Sequence, residues 1–256
     1  EVEDAIIKAE WFDAAIDAHV KLGFEPNGYK VCSHDPSDLG PDPKGLVIRY
    51  GSVLTRVEER TTGDVNDGCD WATTIAVDED CDAFIWDCDG LGVTLRRQVA
   101  ESLGGKHMEM IMYKGSEKVV NPSAIYQPDA RLDQRKAKNN KETFKNKRAQ
   151  YYWRLRDRLY NAYLAVEKGH YIDPDELISI SSDIGCLDQF RSELCRIPRK
   201  YNPSGYIQIM TKREMKQLFK IESPNLADSA MQTMEIPTPI HLPDAEPLHI
   251  PRMVRI

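Results

Sequence analysis

YKVCSHDPSDLGPDPKGLVIRYGSVLTRV, residues 29 to 57, is the stretch on which the fold turns. Tyr29 to Ser33 is a short apolar run ending at His34 and Asp35, and the SDLGPDPKG that follows is dense in glycine and proline, so a strand leads into a loop. LVIRY at 46–50 and SVLTRV at 52–57 are β-branched runs meeting at Gly51, which predicts a tight antiparallel hairpin returning from that loop. Three strands therefore open the domain, and the first delivers a carboxylate at its end.

Working outward toward the N-terminus, Trp11, Phe12, Ala15, Ile16, His19 and Val20 recur at helical spacing until Pro26, Asn27 and Gly28 stop them, which predicts a leading helix. Toward the C-terminus, a helix is expected from about Asp67 to Asp78, then a strand from Ala83 to Trp86 that carries Asp87 and Asp89 into a DGLG turn. VTLRRQVAESL has helical period, and HMEMIMY at 107–113 reads as a strand. Lys114 to about Ala137 is too aperiodic to assign. Lys141 to Val166, with Phe144, Tyr151, Trp153, Leu155, Leu159 and Tyr163 among lysines and arginines, should be the longest helix. A helix over Ile184 to Cys195, a strand YIQIM at 206–210 and a basic helix from Lys212 follow. SPNLADSAMQTM is the closing helix, with Ser223 and Pro224 as N-cap and first residue. Strands first, then strands alternating with helices, point to an α/β fold in which a mixed β-sheet is flanked by helices on both faces.

Residues 1–28 are thus expected as a leading helix and linker, 29–235 as one catalytic domain, and 236–256, with five prolines, as either an extended tail or a strap over the surface. At 256 residues and 41% apolar content one sizeable core is affordable. No run of apolar residues is long enough for a membrane span and the N-terminus lacks signal-peptide order, so a soluble intracellular protein is expected. The six cysteines contain no CxxC pair and read as reduced, buried small hydrophobes. No GxxxxGK[ST] occurs, so this chain by itself should not hydrolyse ATP.

The net charge of −7 argues at first against a nucleic-acid partner, but the charge is segregated. Glu58 to Asp89 holds eleven acidic residues and one basic, while Arg131 to Arg158 holds eleven basic and three acidic. An acidic pocket that gathers divalent cations beside a basic arm that holds a polyanion would have this pattern; so would two solvated surfaces.

Asp35, Asp87 and Asp228 stand at ends or within the closing helix, where a scaffold presents functional groups. Singly, each is as well explained as a turn cap or an exposed helical residue. Together they could supply the oxygen ligands a hard cation requires, and a two-metal site cleaving a phosphodiester needs no nucleophilic side chain. His34, beside Asp35, should point the other way along its strand and is read as a packed histidine.

At this point the residues resemble the large subunits of tailed-phage terminases. EWFDAAIDAHVKLGF is similar to the helix after the terminase ATPase domain, SHDPSDLGPDPKGLVIRYGSVL to the first acidic strand end and returning hairpin, and FIWDCDGLGV to the second acidic strand end. YNPSGYIQIMTKREMKQLFKIESPNLADSAM is similar to the closing strand, basic helix and third aspartate, and NKRAQYYWRLRDRL to the aromatic and basic helix. The resemblance implies an RNase H-like fold with Asp35, Asp87 and Asp228 as the catalytic metal-binding triad, Asp42 and Asp89 as further ligands, and two Mg²⁺ or Mn²⁺ ions as cofactors. Lys212, Arg213, Lys216, Lys147 and Arg148 are the expected DNA contacts. Implied partners are double-stranded viral DNA, the portal protein, the small terminase subunit and an ATPase domain of the same polypeptide lying outside this chain, with no membrane. The implied location is the host cytoplasm, transiently at the procapsid portal. A resolvase-like nuclease and a non-catalytic docking module of the motor are the alternatives, the second separated by metal-dependent DNA cleavage.

Overall fold

The hairpin at Gly51 forms as expected. Gly51 adopts a left-handed φ of 58°, and a Cβ there would run into the Asn27 carbonyl, so glycine is required twice over. In the computed structural model, which describes residues 5–126 and 138–236, helices α1 (Ala9–Ala15) and α2 (Ala18–Leu22) precede strands β1 (Lys30–Asp35), β2 (Lys44–Tyr50) and β3 (Val53–Arg60). Then come α3 (Val65–Asp78), β4 (Ala83–Asp87), α4 (Arg96–Leu103), β5 (Glu109–Tyr113), α5 (Asn140–Thr143) and the 22-residue α6 (Lys147–Lys168). β6 (Ser179–Ile180), α7 (Leu187–Leu194), β7 (Arg199–Lys200), β8 (Gln208–Ile209), α8 (Lys212–Phe219) and α9 (Asn225–Gln232) complete the order.

Six strands make one sheet in the order β5-β4-β1-β2-β3-β6. Short loops join β1, β2 and β3 antiparallel, whereas β4 and β5, each reached after a helix, lie parallel to β1 and β4 respectively. Consecutive residues alternate between two apolar layers, as a pleated strand dictates. Val31, Val47 and Ile85 pack with Phe12, Leu155 and Leu226 from α1, α6 and α9. Cys32, Leu46, Ile48, Phe84 and Trp86 pack with Ala72 and Val99 from α3 and α4. The mixed sheet is therefore covered on both faces, the RNase H-like arrangement.

Four local expectations are corrected. The leading helix breaks at Asp17, which takes a left-handed φ of 52°. Ile16 bridges to Ile180, and the Asp17 N–H donates to the Ile180 carbonyl at 2.8 Å, so a tertiary contact overrides the helical spacing. The long helix starts at Lys147, because the Asn146 side chain caps it by accepting the Ala149 N–H at 3.0 Å. YIQIM contributes only β8, which pairs with β7 in a separate two-stranded ribbon. α9 begins at Asn225, with Pro224 at its cap. The segment read as a linker packs into the main core through Trp11, Phe12 and Ala15, and the proline-rich tail from residue 237 lies outside the described residues.

Candidate active site

β1 and β4 run side by side in parallel with His34 opposite Trp86, so their last residues, Asp35 and Asp87, emerge together at one edge of the sheet. Asp228 arrives from the first turn of α9, which lies across β1 and β2. Local chemistry pins that helix. The Ser33 hydroxyl donates to the Ser229 carbonyl, and the Asn225 side-chain amide donates to the Pro43 carbonyl. The Glu193 carboxylate accepts the N–H groups of Leu226 and Ala227 at 2.8 and 3.1 Å, supplying the cap that proline cannot. Asp35, Asp87, Asp89, Asp228, Arg148 and Lys212 all line one cleft of about 480 Å³.

A cation already stands among these carboxylates. Lys212 Nζ donates to Asp35 Oδ2 at 2.7 Å and to Asn225 Oδ1 at 3.0 Å, and lies 3.1 Å from Asp228 Oδ2. Asp228 Oδ1 accepts the Tyr152 hydroxyl at 2.6 Å and Arg148 Nη2 at 3.0 Å. Burial, reinforced by Asp228 and Asp87, raises Asp35 to about 7 against the pull of Lys212. Burial also acts to raise Asp228, but Arg148, Lys212 and the Tyr152 hydrogen bond outweigh it and hold this carboxyl low. Asp87 is raised, chiefly by burial, despite accepting the Asp89 N–H at 2.8 Å. Among the described residues no three His, Cys, Asp or Glu side chains converge closely enough to enclose an ion, and the Lys212 ammonium stands between Asp35 and Asp228.

The remaining sequence-derived candidates divide. Asp89 lines the cleft but is tied to Ser116, whose N–H and hydroxyl donate to it at 2.7 and 2.6 Å. Asp42 does not line the cleft; it is exposed on the β1–β2 loop, where its carbonyl accepts the Ser37 hydroxyl. Lys147 is buried and paired with Glu235 at 2.8 Å and Glu117 at 3.7 Å, so an internal ion pair replaces the phosphate contact expected of it. Arg148 and Lys212 likewise turn into the cleft, whereas Arg213 is exposed on α8 and Lys216 is exposed beside Glu222 at 2.8 Å. His34 packs edge-on to Trp71 on the opposite face, its Nδ1–H donating to the Gly45 carbonyl at 2.9 Å, and burial lowers it to about 4, which keeps it neutral. Tyr152, Asn225 and Glu193 were missed, since only the packing of α6, α7 and α9 brings them to Asp228; the one available signal was the four-residue spacing of Arg148 and Tyr152, which puts both on one face of a helix.

Acidic strand ends meeting an acidic helix turn in one cleft define a site of the RNase H-like class. No family model matches the chain, and no curated protein matches it. Among solved structures, the nuclease domain of the large terminase subunit gp2 of bacterial virus Sf6 aligns at TM-score 0.86 and 46% identity, covering 91% of this chain and 99% of that one. A lysine-to-alanine mutant of that domain, solved with manganese and beta-thujaplicinol, aligns equally well at TM-score 0.86 and 46% identity over 91% and 99% of the two chains. The same type of mutant solved with calcium gives TM-score 0.84 and 46% identity over 91% and 100%. The chain belongs to the family of bacteriophage large-terminase nuclease domains.

Proposed function

We propose that this chain is a divalent-metal-dependent endonuclease of a viral DNA-packaging motor, cutting concatemeric double-stranded DNA at initiation and again at termination of packaging. The observation that carries the reading is that Asp35, Asp87 and Asp228 line one open cleft, with the Lys212 ammonium held between Asp35 and Asp228. The donors are carboxylate oxygens, which suit Mg²⁺ or Mn²⁺, and the lysine ammonium among them marks the position as one that selects positive charge. Asp35, Asp87 and Asp228 would hold two such ions, which supply an activated water and stabilise the leaving 3′ oxygen. Arg213 and Lys216, exposed on the helix whose first residue reaches into the cleft, would meet the DNA backbone. The portal protein, the small terminase subunit and an ATPase domain of the same polypeptide are the expected partners, with the tail from residue 236 a candidate for portal or small-subunit docking, and the procapsid portal in the host cytoplasm the expected site of action.

Nicking and linearisation of supercoiled plasmid with Mg²⁺, Mn²⁺ or EDTA tests this, comparing the wild type with Asp35→Asn, Asp87→Asn and Asp228→Asn variants of verified fold. Cleavage that requires metal and disappears in all three is the expected result. Metal-independent cleavage, or none, would favour a docking role.

A further inference from the structure

The two oxygens of Asp228 have different surroundings. Oδ1 accepts from both Tyr152 and Arg148, at 2.6 and 3.0 Å. Oδ2 is buried and has no hydrogen-bond partner among the described residues, with the Lys212 ammonium 3.1 Å away. The two groups holding Oδ1 are themselves fixed. Tyr152 is fully buried, and Arg148 Nη1 donates to the Met210 carbonyl at 2.8 Å. The carboxylate therefore cannot swing both oxygens toward the cleft without breaking buried hydrogen bonds, one of them charge-assisted.

Resting on the metal-dependent reading above, we infer that Arg148 and Tyr152 are positioning residues that restrict Asp228 to ligation through Oδ2 alone, so that the centre favours small octahedral cations and discriminates against Ca²⁺. Mg²⁺ and Mn²⁺ are satisfied by single oxygens in a compact octahedron, whereas Ca²⁺ gathers about six to eight oxygens and commonly takes carboxylates through both. A tethered Oδ1 withholds the second oxygen. The effect on the ratio of affinities is separable from charge: weakening the positive field at Asp228 strengthens binding of both cations, but releasing Oδ1 helps only the one that uses it.

Mn²⁺ binding to the whole chain, read by the EPR signal of the free aquo ion with Ca²⁺ as competitor, measures that ratio in the wild type, Tyr152→Phe and Arg148→Lys. The expected result is a shift of the Ca²⁺-to-Mn²⁺ affinity ratio toward Ca²⁺ by about tenfold in Tyr152→Phe, the effect of one hydrogen bond, and in the same direction in Arg148→Lys, which keeps the charge but loses the fork. If either variant unfolds, the other decides. A ratio within about twofold of wild type in a folded variant overturns the inference. Mn²⁺ binding that Asp35→Asn abolishes, with an unchanged ratio, removes this inference alone; wild-type protein with no such binding removes the metal-dependent reading as well.

Discussion

Gly45→Ala tests whether Asp228 is held in place by the packing of one backbone on another. The added methyl would lie 2.7 Å from the Asn225 carbonyl carbon, closer still to its oxygen, and 2.8 Å from Ser229 Oγ. Non-bonded carbons settle about 3.5–4.0 Å apart, so roughly 1 Å must be found. β2 cannot provide it, since Gly45 sits between Asp35 of β1 and Glu59 of β3 in the middle of the sheet. α9 must move instead, and Asp228 with it. Overpacking of this kind costs about 1–3 kcal/mol, which in a chain of this size lowers the melting temperature by roughly 2–12 °C. A misplacement of about 1 Å at a reacting centre costs on the order of 100-fold in rate. Calorimetry and plasmid nicking in Mn²⁺ should therefore diverge, with nicking reduced by about two orders of magnitude at a temperature where the variant is fully folded. Gly185→Ala, where a Cβ meets nothing within 4 Å, should change neither. A Gly45→Ala protein that cuts at the wild-type rate, or loses activity only in proportion to its unfolding, would refute the argument.

Other consequences concern charge. Burial raises both Asp35 and Glu193 to about 7, the first against Lys212 and the second against the hydrogen bonds it accepts from Ala227, Gln189 and Leu226. A raised folded-state pKa means that protonation favours the fold, so this stabilisation is complete below the unfolded value of about 4 and lost as pH rises through about 7. The metal-free melting temperature should fall across that window, less steeply in Asp35→Asn, while Mn²⁺ affinity should rise across it as the proton leaves; a flat Mn²⁺ affinity would contradict the assignment. Lys147→Ala breaks a buried pair and should cost about 3–5 kcal/mol in urea unfolding while leaving the salt dependence of DNA binding unaltered. Arg213→Ala should do the reverse, reducing the salt slope by about one with stability within about 0.5 kcal/mol of wild type. Lys212→Ala removes the ammonium that competes with a metal ion, so Mn²⁺ should bind the DNA-free protein on the order of tenfold more tightly, as titration calorimetry would show; weaker binding would mean that the lysine assists the ion.

What was legible in the sequence follows the range of the forces involved. β1 to β4 and the helices over residues 65–78 and 147–168 were readable because alternation and helical period are local signals set by burial on one face or two. β6 was not, since two residues carry no period and Ser179 and Ile180 become a strand only by lying beside β3. The break at Asp17 was hidden for the same reason: its cause is a carbonyl more than 160 residues away. Asp35 and Asp87 could be placed from strand ends alone, but putting Asp228 beside them required the resemblance, because nothing in NLADSAM says which strands the helix will cross.

The basic residues show where charge counting misleads. The eleven basic residues between Arg131 and Arg158 suggest a surface that meets DNA, yet Lys147 and Arg148, together with Lys212 beyond that stretch, point inward to Glu235 and to the aspartates of the cleft. The reason is the cost of burial. Carboxylates gathered in a partly enclosed cleft repel one another and lose water, and each must either take up a proton or acquire a cation. Asp228, with Arg148, Lys212 and the Tyr152 hydroxyl around it, remains ionised; Asp35, with Lys212 alone, is left near the point of protonation. A lysine on a flexible stem can withdraw, whereas an arginine bonded to both Asp228 and the Met210 carbonyl cannot. The permanent counter-charge therefore sits behind Asp228, and the exchangeable one sits in front, between Asp35 and Asp228, where an incoming divalent ion would take its place.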